Sequence, residues 1–80
     1  MEPEIAFGRA LRKLRKQKKL SQEALALDAD IERNYISLLE LGRFSASIKV
    51  VFKLARALGI RPSRLIELAE RETTLDTTDQ

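Results

Sequence analysis

The sequence predicts an all-α protein, folded as a compact bundle of five short helices. Apolar residues recur at intervals of three and four along five separate segments, which is the spacing that gives a helix one apolar side. No segment shows the strict alternation that is typical of a half-buried strand. Because only a few residues separate the segments, the 80-residue chain is expected to form one small domain with one modest core.

The first segment predicts a helix with an apolar side and a basic side. Its apolar stripe consists of Phe7, Ala10, Leu11 and Leu14. Its opposite side carries Arg9, Arg12, Lys13, Lys16 and Lys19. Residues 1–4 are expected to be a frayed lead-in. Gly8 lies inside the helix, where glycine costs about 1 kcal/mol relative to alanine unless close packing requires it, and the sequence leaves both possibilities open.

The central segment, residues 20–42, predicts two short helices joined by a tight turn. Ser21 is a good N-cap for the second helix, because its hydroxyl can accept a hydrogen bond from a first-turn backbone N–H. The third helix turns Ile36 inward and ends before Gly42, since glycine takes the left-handed conformation without strain. Ala26 faces the third helix, and its small side chain lets the two axes approach closely. The pair is therefore predicted to be a helix-turn-helix whose second member projects outward.

Two more helices follow. Ser47 is the expected N-cap of the fourth helix, which ends at Gly59. Its inner face is formed by Val51, Leu54, Ala55 and Leu58. Pro62 suits the first position of a fifth helix. The apolar side of that helix comprises Leu65, Ile66, Leu68 and Ala69. Residues 5–72 are thus expected to form the domain, and residues 73–80, which show no pattern, a mobile C-terminal tail.

The composition excludes several classes of function. The chain has no cysteine and no histidine, so disulfides, the usual zinc ligand sets and histidine general-base chemistry are ruled out. There is no glycine-rich phosphate loop and no indicated nucleophile–base pair, so neither an enzyme nor a cofactor is expected. No apolar run approaches the roughly 20 residues of a membrane span, and the N-terminus lacks a signal pattern. A cytoplasmic protein without membrane contact is the expectation.

The charge is unevenly distributed along the chain. Residues 1–61 carry 13 lysines and arginines against 7 acidic residues, a balance of +6, whereas residues 62–80 carry 2 against 5, a balance of −3. The basic part contains the helix-turn-helix. Positive charge there favours nucleic acid, because phosphate contacts release counterions. On charge alone, the basic run KLRKQKK is equally well explained as the solvated face of the first helix.

Four stretches together resemble a known family. They are FGRALRKLR in the first helix, LSQEALA in the second, RNYISLLELGR around the third and LARALGI in the fourth. The chain resembles helix-turn-helix domains of the λ-repressor-like, XRE type over roughly residues 5–70. The resemblance implies a homodimeric transcriptional regulator that binds a two-fold-related site in double-stranded DNA, with its third helix in the major groove. Chains of this length resemble restriction–modification controller proteins and small phage-type repressors in particular.

The resemblance also implies roles for individual residues outside the third helix. Gln22 matches a position where a side chain and a helix N-terminus meet a phosphate, although it is also an ordinary polar first-turn residue. Arg43 matches a loop residue that contacts the DNA backbone, or it is simply exposed. Arg15 and Glu40 match a pair that ties the first helix to the third.

The third helix must supply the base contacts, and its geometry shows which side chains are available. At about 100° per residue, with Ile36 inward, an outward face is formed by Asn34, Ser37, Leu38 and Leu41. Arg33 is long enough to join them. Arginine pairs with guanine and asparagine with adenine, so Arg33 and Asn34 are the first candidates for base reading. Leu38 suits a thymine methyl group, and Ser37 a base edge or a phosphate.

Tyr35 lies at the side of that helix, where either its hydroxyl contacts a phosphate or its ring only packs.

Some residues depart from the family pattern. Asp30 stands where the turn usually has glycine, at a cost of about 1 kcal/mol. Leu38 and Leu41 replace polar residues and, with Phe44, offer an apolar surface. This surface keeps an alternative open, namely a protein-interaction module such as an adaptor or antirepressor, for which the partner would be another protein.

A homodimer is expected, because one small domain presents few base contacts. The predicted interface comprises the fifth helix and the end of the fourth, with Leu65, Ile66 and Ala69 as its apolar residues. The alternative is that all three pack inward.

Overall fold

Five α-helices and no strand make up the part of the chain that the computed structural model describes, which is residues 1–77, with side chains through residue 75. The helices are α1 (Pro3–Gln17), α2 (Gln22–Ala29), α3 (Arg33–Glu40), α4 (Ile48–Leu58) and α5 (Pro62–Thr77). The predicted all-α, five-helix fold is confirmed. Within these residues, no helix has both the length and the apolar character that a bilayer crossing requires.

The core lies where the five apolar stripes converge. Helix α1 packs against α3 and α5, α2 packs against α3 and α4, and α4 packs against α5. Side chains from all five helices have no exposed surface, namely Leu11, Leu25, Ile36, Leu39, Leu54, Ala55 and Leu65. Each helix alone would leave its apolar stripe in water, so the helices stabilise one another by burying these stripes together.

The helix ends follow the capping residues. The Ser21 hydroxyl accepts a hydrogen bond from the Ala24 N–H at 3.0 Å, and the Ser47 hydroxyl accepts one from the Val50 N–H at 3.2 Å. Gly59 closes α4 in the left-handed conformation, with φ at 73°. The predicted caps of α2 and α4 are confirmed.

Within residues 1–77, two residues other than glycine also take the left-handed conformation. Asp30 ends α2 with φ at 57°, and Lys19 follows α1 with φ at 59°. The conformation lets the next backbone N–H reach back, so Ile31 donates to the Ala26 carbonyl at 2.9 Å. The turn therefore forms with aspartate in place of glycine, as expected. Lys19 is a second strained residue, and the sequence did not indicate it.

Both ends of the chain are more helical than the sequence predicted. Helix α1 begins at Pro3, because proline suits the first position of a helix and Glu4 complements the positive end of the helix dipole. Residues 3 and 4 of the predicted lead-in therefore belong to the first turn of α1. Helix α5 runs on to Thr77, so residues 73–77 of the predicted tail are helical, and residues 78–80 lie outside the described part.

A long-range ion pair ties the C-terminal part of α5 to α1. Lys13 Nζ donates to Glu72 Oε2 at 2.7 Å, joining α1 to the last turns of α5. The Glu72 side chain is mostly buried, whereas Lys13 remains exposed to solvent. Because the two residues are 59 positions apart, local sequence pattern does not reveal this contact.

Candidate nucleic-acid interface

Helix α3 presents the face that its sequence periodicity predicted. Ile36 and Leu39 are fully buried, while Arg33 and Asn34 on the other side are exposed. Ser37 and Leu38 are partly exposed, and Leu41 just after the helix is exposed; all three continue the same outward face. The four candidate base-reading residues, Arg33, Asn34, Ser37 and Leu38, therefore lie on one short helix with solvent in front of them.

Helix α1 supports α3 from behind at Gly8. A Cβ atom added at Gly8 would collide with the backbone carbonyl oxygens of Leu39 and Glu40. The question left open by the sequence is thus resolved, because glycine is required for the close approach of α1 to the end of α3. Gly42, with φ at 75°, is similarly confined, since a Cβ there would lie 2.9 Å from Cγ1 of Ile5.

An ion pair fixes the same end of α3. Arg15 Nε donates to Glu40 Oε2 at 2.6 Å, and Arg15 Nη2 donates to Glu40 Oε1 at 3.0 Å. A third guanidinium nitrogen, Nη1, donates to the Leu20 carbonyl at 2.7 Å. The side chains of Arg15 and Glu40 are only 10% and 4% exposed. The hydrogen bond to Glu40 raises the pKa of Arg15 above its ordinary value, against the effect of burial. The predicted tie between α1 and α3 is confirmed.

Gln22 joins this network from the first position of α2. The Gln22 Nε2 donates to Glu40 Oε1 at 3.1 Å. Gln22 is therefore a half-buried residue whose amide is oriented by the Arg15–Glu40 pair. The start of α2 and the end of α3 are held in one arrangement by three side chains.

The loop after α3 packs back on the helix. The Tyr35 ring lies 6.0 Å from the ring of Phe44, between centroids, and the Tyr35 hydroxyl donates to the Ser45 carbonyl at 3.4 Å, a long hydrogen bond. Tyr35 is half-buried, whereas Arg43 and Phe44 are exposed. The loop thereby presents a cation and an aromatic ring beside the outward face of α3.

The three predicted interface residues of α5 have different surroundings. Leu65 has no exposed surface and belongs to the core of the protomer, so its assignment to a dimer interface is wrong. Ala69 is partly buried, and Ile66 is 48% exposed. The neighbouring positions Leu65 and Ile66 differ by about 100° around the helix, and only the first points at the core.

The start of α4, rather than the end that the sequence predicted, extends the apolar surface around Ile66. Ile48 is 72% exposed and Phe52 is 57% exposed, four positions apart on one helix face. A cavity of about 390 Å³ lies between α1, α4 and α5, and its apolar lining includes Phe7, Ile48 and Ile66. The helical spacing of Ile48 and Phe52, outside the inner stripe of α4, was the signal that could have identified them.

Comparison with known proteins assigns the fold to a family. The helix-turn-helix family model matches residues 11–65. Control protein C.MunI of Mycoplasma sp is 42% identical over 69 residues, covering 85% of this chain and 93% of that protein. Control protein C.BamHI of Bacillus amyloliquefaciens is 35% identical over 77 residues, covering 95% and 90%.

A solved structure agrees with these relatives. The crystal structure of the restriction-modification controller protein C.AhdI from Aeromonas hydrophila superimposes with a TM-score of 0.76 at 42% sequence identity, covering 78% of this chain and 94% of that chain. These matches confirm the resemblance that the sequence motifs indicated. The chain belongs to the helix-turn-helix family, and it is similar along most of its length to restriction-modification controller proteins.

Proposed function

We propose that the protein is a sequence-specific transcriptional regulator that binds double-stranded DNA as a homodimer, with α3 in the major groove. One observation carries the proposal. Arg33 and Asn34 stand exposed on the outer side of α3, while the opposite side of the same helix is buried against α1 and α2. An α-helix fits the width of the major groove of B-DNA, and arginine and asparagine carry the donors that its base edges accept.

We assign base reading to Arg33, Asn34, Ser37 and Leu38. Arg33 suits the O6 and N7 acceptors of guanine, and Asn34 suits N6 and N7 of adenine. Leu38 would pack on a thymine methyl group, and Ser37 would reach a base edge or a neighbouring phosphate. Each bidentate pair contributes about 1–3 kcal/mol of discrimination against a wrong base.

We assign phosphate contacts to Gln22, Tyr35 and Arg43. Gln22 sits at the positive end of the α2 dipole, and Arg43 is an exposed cation in the loop after α3. The Tyr35 hydroxyl is bonded only weakly to Ser45, so a phosphate oxygen would compete well for it. These contacts would hold α3 in register without reading sequence.

We assign the dimer interface to Ile66 and Ala69 of α5 together with Ile48 and Phe52 of α4. Three of these four side chains are large, apolar and exposed. A two-fold axis through this surface would bury the same apolar face of both protomers. It would also present two copies of α3 to half-sites about 34–36 Å apart, which is one turn of DNA.

The relatives support a regulator of this kind, since C.MunI and C.BamHI are control proteins and C.AhdI is a restriction-modification controller protein. The competing hypothesis, a protein-interaction module that uses Leu38, Leu41 and Phe44, predicts a different dependence on salt. Phosphate contacts release counterions, so DNA binding weakens steeply as salt rises, whereas an apolar contact between proteins weakens little or strengthens.

The experiment that tests the proposal is selection of bound duplexes from a random pool, followed by titration of the selected duplex at several salt concentrations. We expect a two-fold-related consensus with half-sites one helical turn apart and an affinity that falls steeply with salt. A pool that yields no consensus, together with no competition by any duplex at low salt, would refute the proposal.

A further inference from the structure

The ring of Phe44 is exposed but held in place. It is 49% exposed, at a position where the chain has just left α3. The Tyr35 ring supports it at a centroid distance of 6.0 Å and an interplanar angle of 44°. The Tyr35 hydroxyl also donates a long hydrogen bond, 3.4 Å, to the carbonyl of Ser45, the residue after Phe44.

Backbone hydrogen bonds restrain the same loop. The Gly42 N–H donates to the Leu39 carbonyl and the Arg43 N–H donates to the Leu38 carbonyl, both at 3.0 Å. The loop thus continues the geometry of α3 rather than moving independently of it. A ring fixed in this way loses little conformational freedom when a ligand covers it, which favours binding.

Phe44 belongs to an apolar strip that has exposed arginines close to it in the chain. We define the strip as Leu38, Leu41 and Phe44, of which Leu41 and Phe44 are exposed and Leu38 partly so. The Arg33 side chain is exposed at the start of α3. The Arg43 side chain, also exposed, directly precedes Phe44 in the chain. The acid nearest in sequence to the strip, Glu40, is bound by Arg15 and is only 4% exposed.

Double-stranded DNA matches this combination of apolar and basic groups. Its phosphates supply negative charge on both sides of the major groove, and the C5-methyl group of thymine is the one apolar group on the groove floor. A protein partner would need an apolar surface bordered by acidic residues to match the same strip. The strip is also continuous with the face of α3 that we propose to enter the groove.

We propose that Phe44 is a specificity-determining residue that packs on a thymine methyl group in each half-site. The inference rests on the proposed function, because it requires α3 to lie in the major groove. Tyr35 then acts as a positioning residue, since its ring sets the orientation of the Phe44 ring. The apolar surface that departs from the family pattern thus becomes part of sequence readout.

The test replaces each thymine of the selected operator, one at a time, by deoxyuridine. This change removes the methyl group and leaves base pairing and charge unchanged. For the wild-type protein, we expect two thymines per half-site to respond, one that contacts Leu38 and one that contacts Phe44. At the Phe44 position the change should weaken binding about fourfold, the equivalent of one buried methyl group. Phe44→Ala should bind the thymine operator more weakly and show no further loss at that position.

Three controls make the result specific. Leu27→Ala removes an apolar side chain that is 78% exposed on α2, and it should retain the full response to deoxyuridine. Phe44→Leu keeps an apolar group and should retain part of the response. Circular dichroism shows whether each variant folds, and Phe44→Leu replaces Phe44→Ala in the test if the alanine variant does not. The salt dependence of Phe44→Ala should equal that of the wild type, because no phosphate contact is lost.

The possible failures are distinguishable. If Phe44→Ala binds DNA as tightly as the wild type, or responds to deoxyuridine as the wild type does at every thymine, the inference is overturned. The proposed function then stands and the strip is left for a protein partner. If no thymine of the operator responds in the wild-type protein, the inference also fails. If no duplex binds specifically, the proposed function and the inference fall together.

Discussion

Arg15 of α1 and Glu40 of α3 form a bidentate ion pair, 2.6 Å and 3.0 Å in its two hydrogen bonds, behind the surface that we propose to contact DNA. The pair is mostly buried, and it makes further hydrogen bonds with the Leu20 carbonyl and the Gln22 side-chain amide. It therefore couples the stability of the bundle to the position of α3.

Removing one partner of the pair should destabilise the folded protein. Arg15→Met leaves the Glu40 carboxylate buried without its cation, so we expect a loss of about 3 kcal/mol in the free energy of unfolding. The double variant Arg15→Met/Glu40→Leu replaces both charges by apolar groups and should recover most of this loss. Urea unfolding of the wild type, both single variants and the double variant measures the coupling. Losses that simply add would contradict it.

Gly8→Ala should destabilise the protein although alanine is the better helix former. The added methyl group collides with the carbonyl oxygens of Leu39 and Glu40, so α1 must move away from α3. We expect a net loss of about 2 kcal/mol in urea unfolding. Lys16→Ala, at an exposed position of the same helix, should change stability by less than about 0.5 kcal/mol. Equal stability of Gly8→Ala and the wild type would show that the contact is not restrictive.

Asp30→Gly should stabilise the protein. Asp30 has φ at 57°, a conformation that glycine adopts without the strain imposed by a side chain. We expect a gain of about 1 kcal/mol in thermal or urea unfolding. Asp30→Ala is the matched control, because it removes the carboxylate and keeps the strain. The explanation is wrong if the glycine variant is no more stable than the alanine variant.

Arg33→Ala and Gln22→Ala should weaken DNA binding in different ways. Arg33→Ala should reduce the binding free energy for the selected operator by about 1–3 kcal/mol and relax the preference at one base position. Loss of Gln22 should weaken selected and random duplexes alike. Titration of both variants with both duplexes provides the comparison. Equal losses on the two duplexes for both variants would count against the assignment.

Ile66→Glu should dissociate the dimer, because it places a charge in an apolar interface. Leu27→Glu introduces the same charge at an exposed apolar residue of α2, outside the proposed interface, and should leave the dimer intact. Sedimentation of the two variants beside the wild type gives the masses. A dimeric Ile66→Glu variant would exclude this surface as the interface.

Features with a local cause were predictable from the sequence. The inner stripes of α1 to α4, the caps at Ser21 and Ser47 and the outward face of α3 all follow from helical spacing and from backbone hydrogen bonding. The Arg15–Glu40 pair was predictable only through family resemblance, because the two residues are 25 positions apart.

Features that depend on the approach of distant elements were not predictable. The requirement for glycine at position 8 comes from α3, and the ion pair of Glu72 with Lys13 joins residues 59 positions apart. Leu65 and Ile66 are adjacent and equally apolar, so periodicity could not decide which one faces the core. That choice is set by where α4 and α1 lie, which is a property of the whole bundle.

The central claim is that α3 reads base edges from the major groove, and guanine methylation interference tests it most directly. A methyl group on guanine N7 blocks the acceptor assigned to Arg33 in that groove. We predict one guanine per half-site whose N7 methylation prevents binding of the wild-type protein and does not further weaken Arg33→Ala. Interference confined to minor-groove positions, or absent from the operator, would contradict the claim.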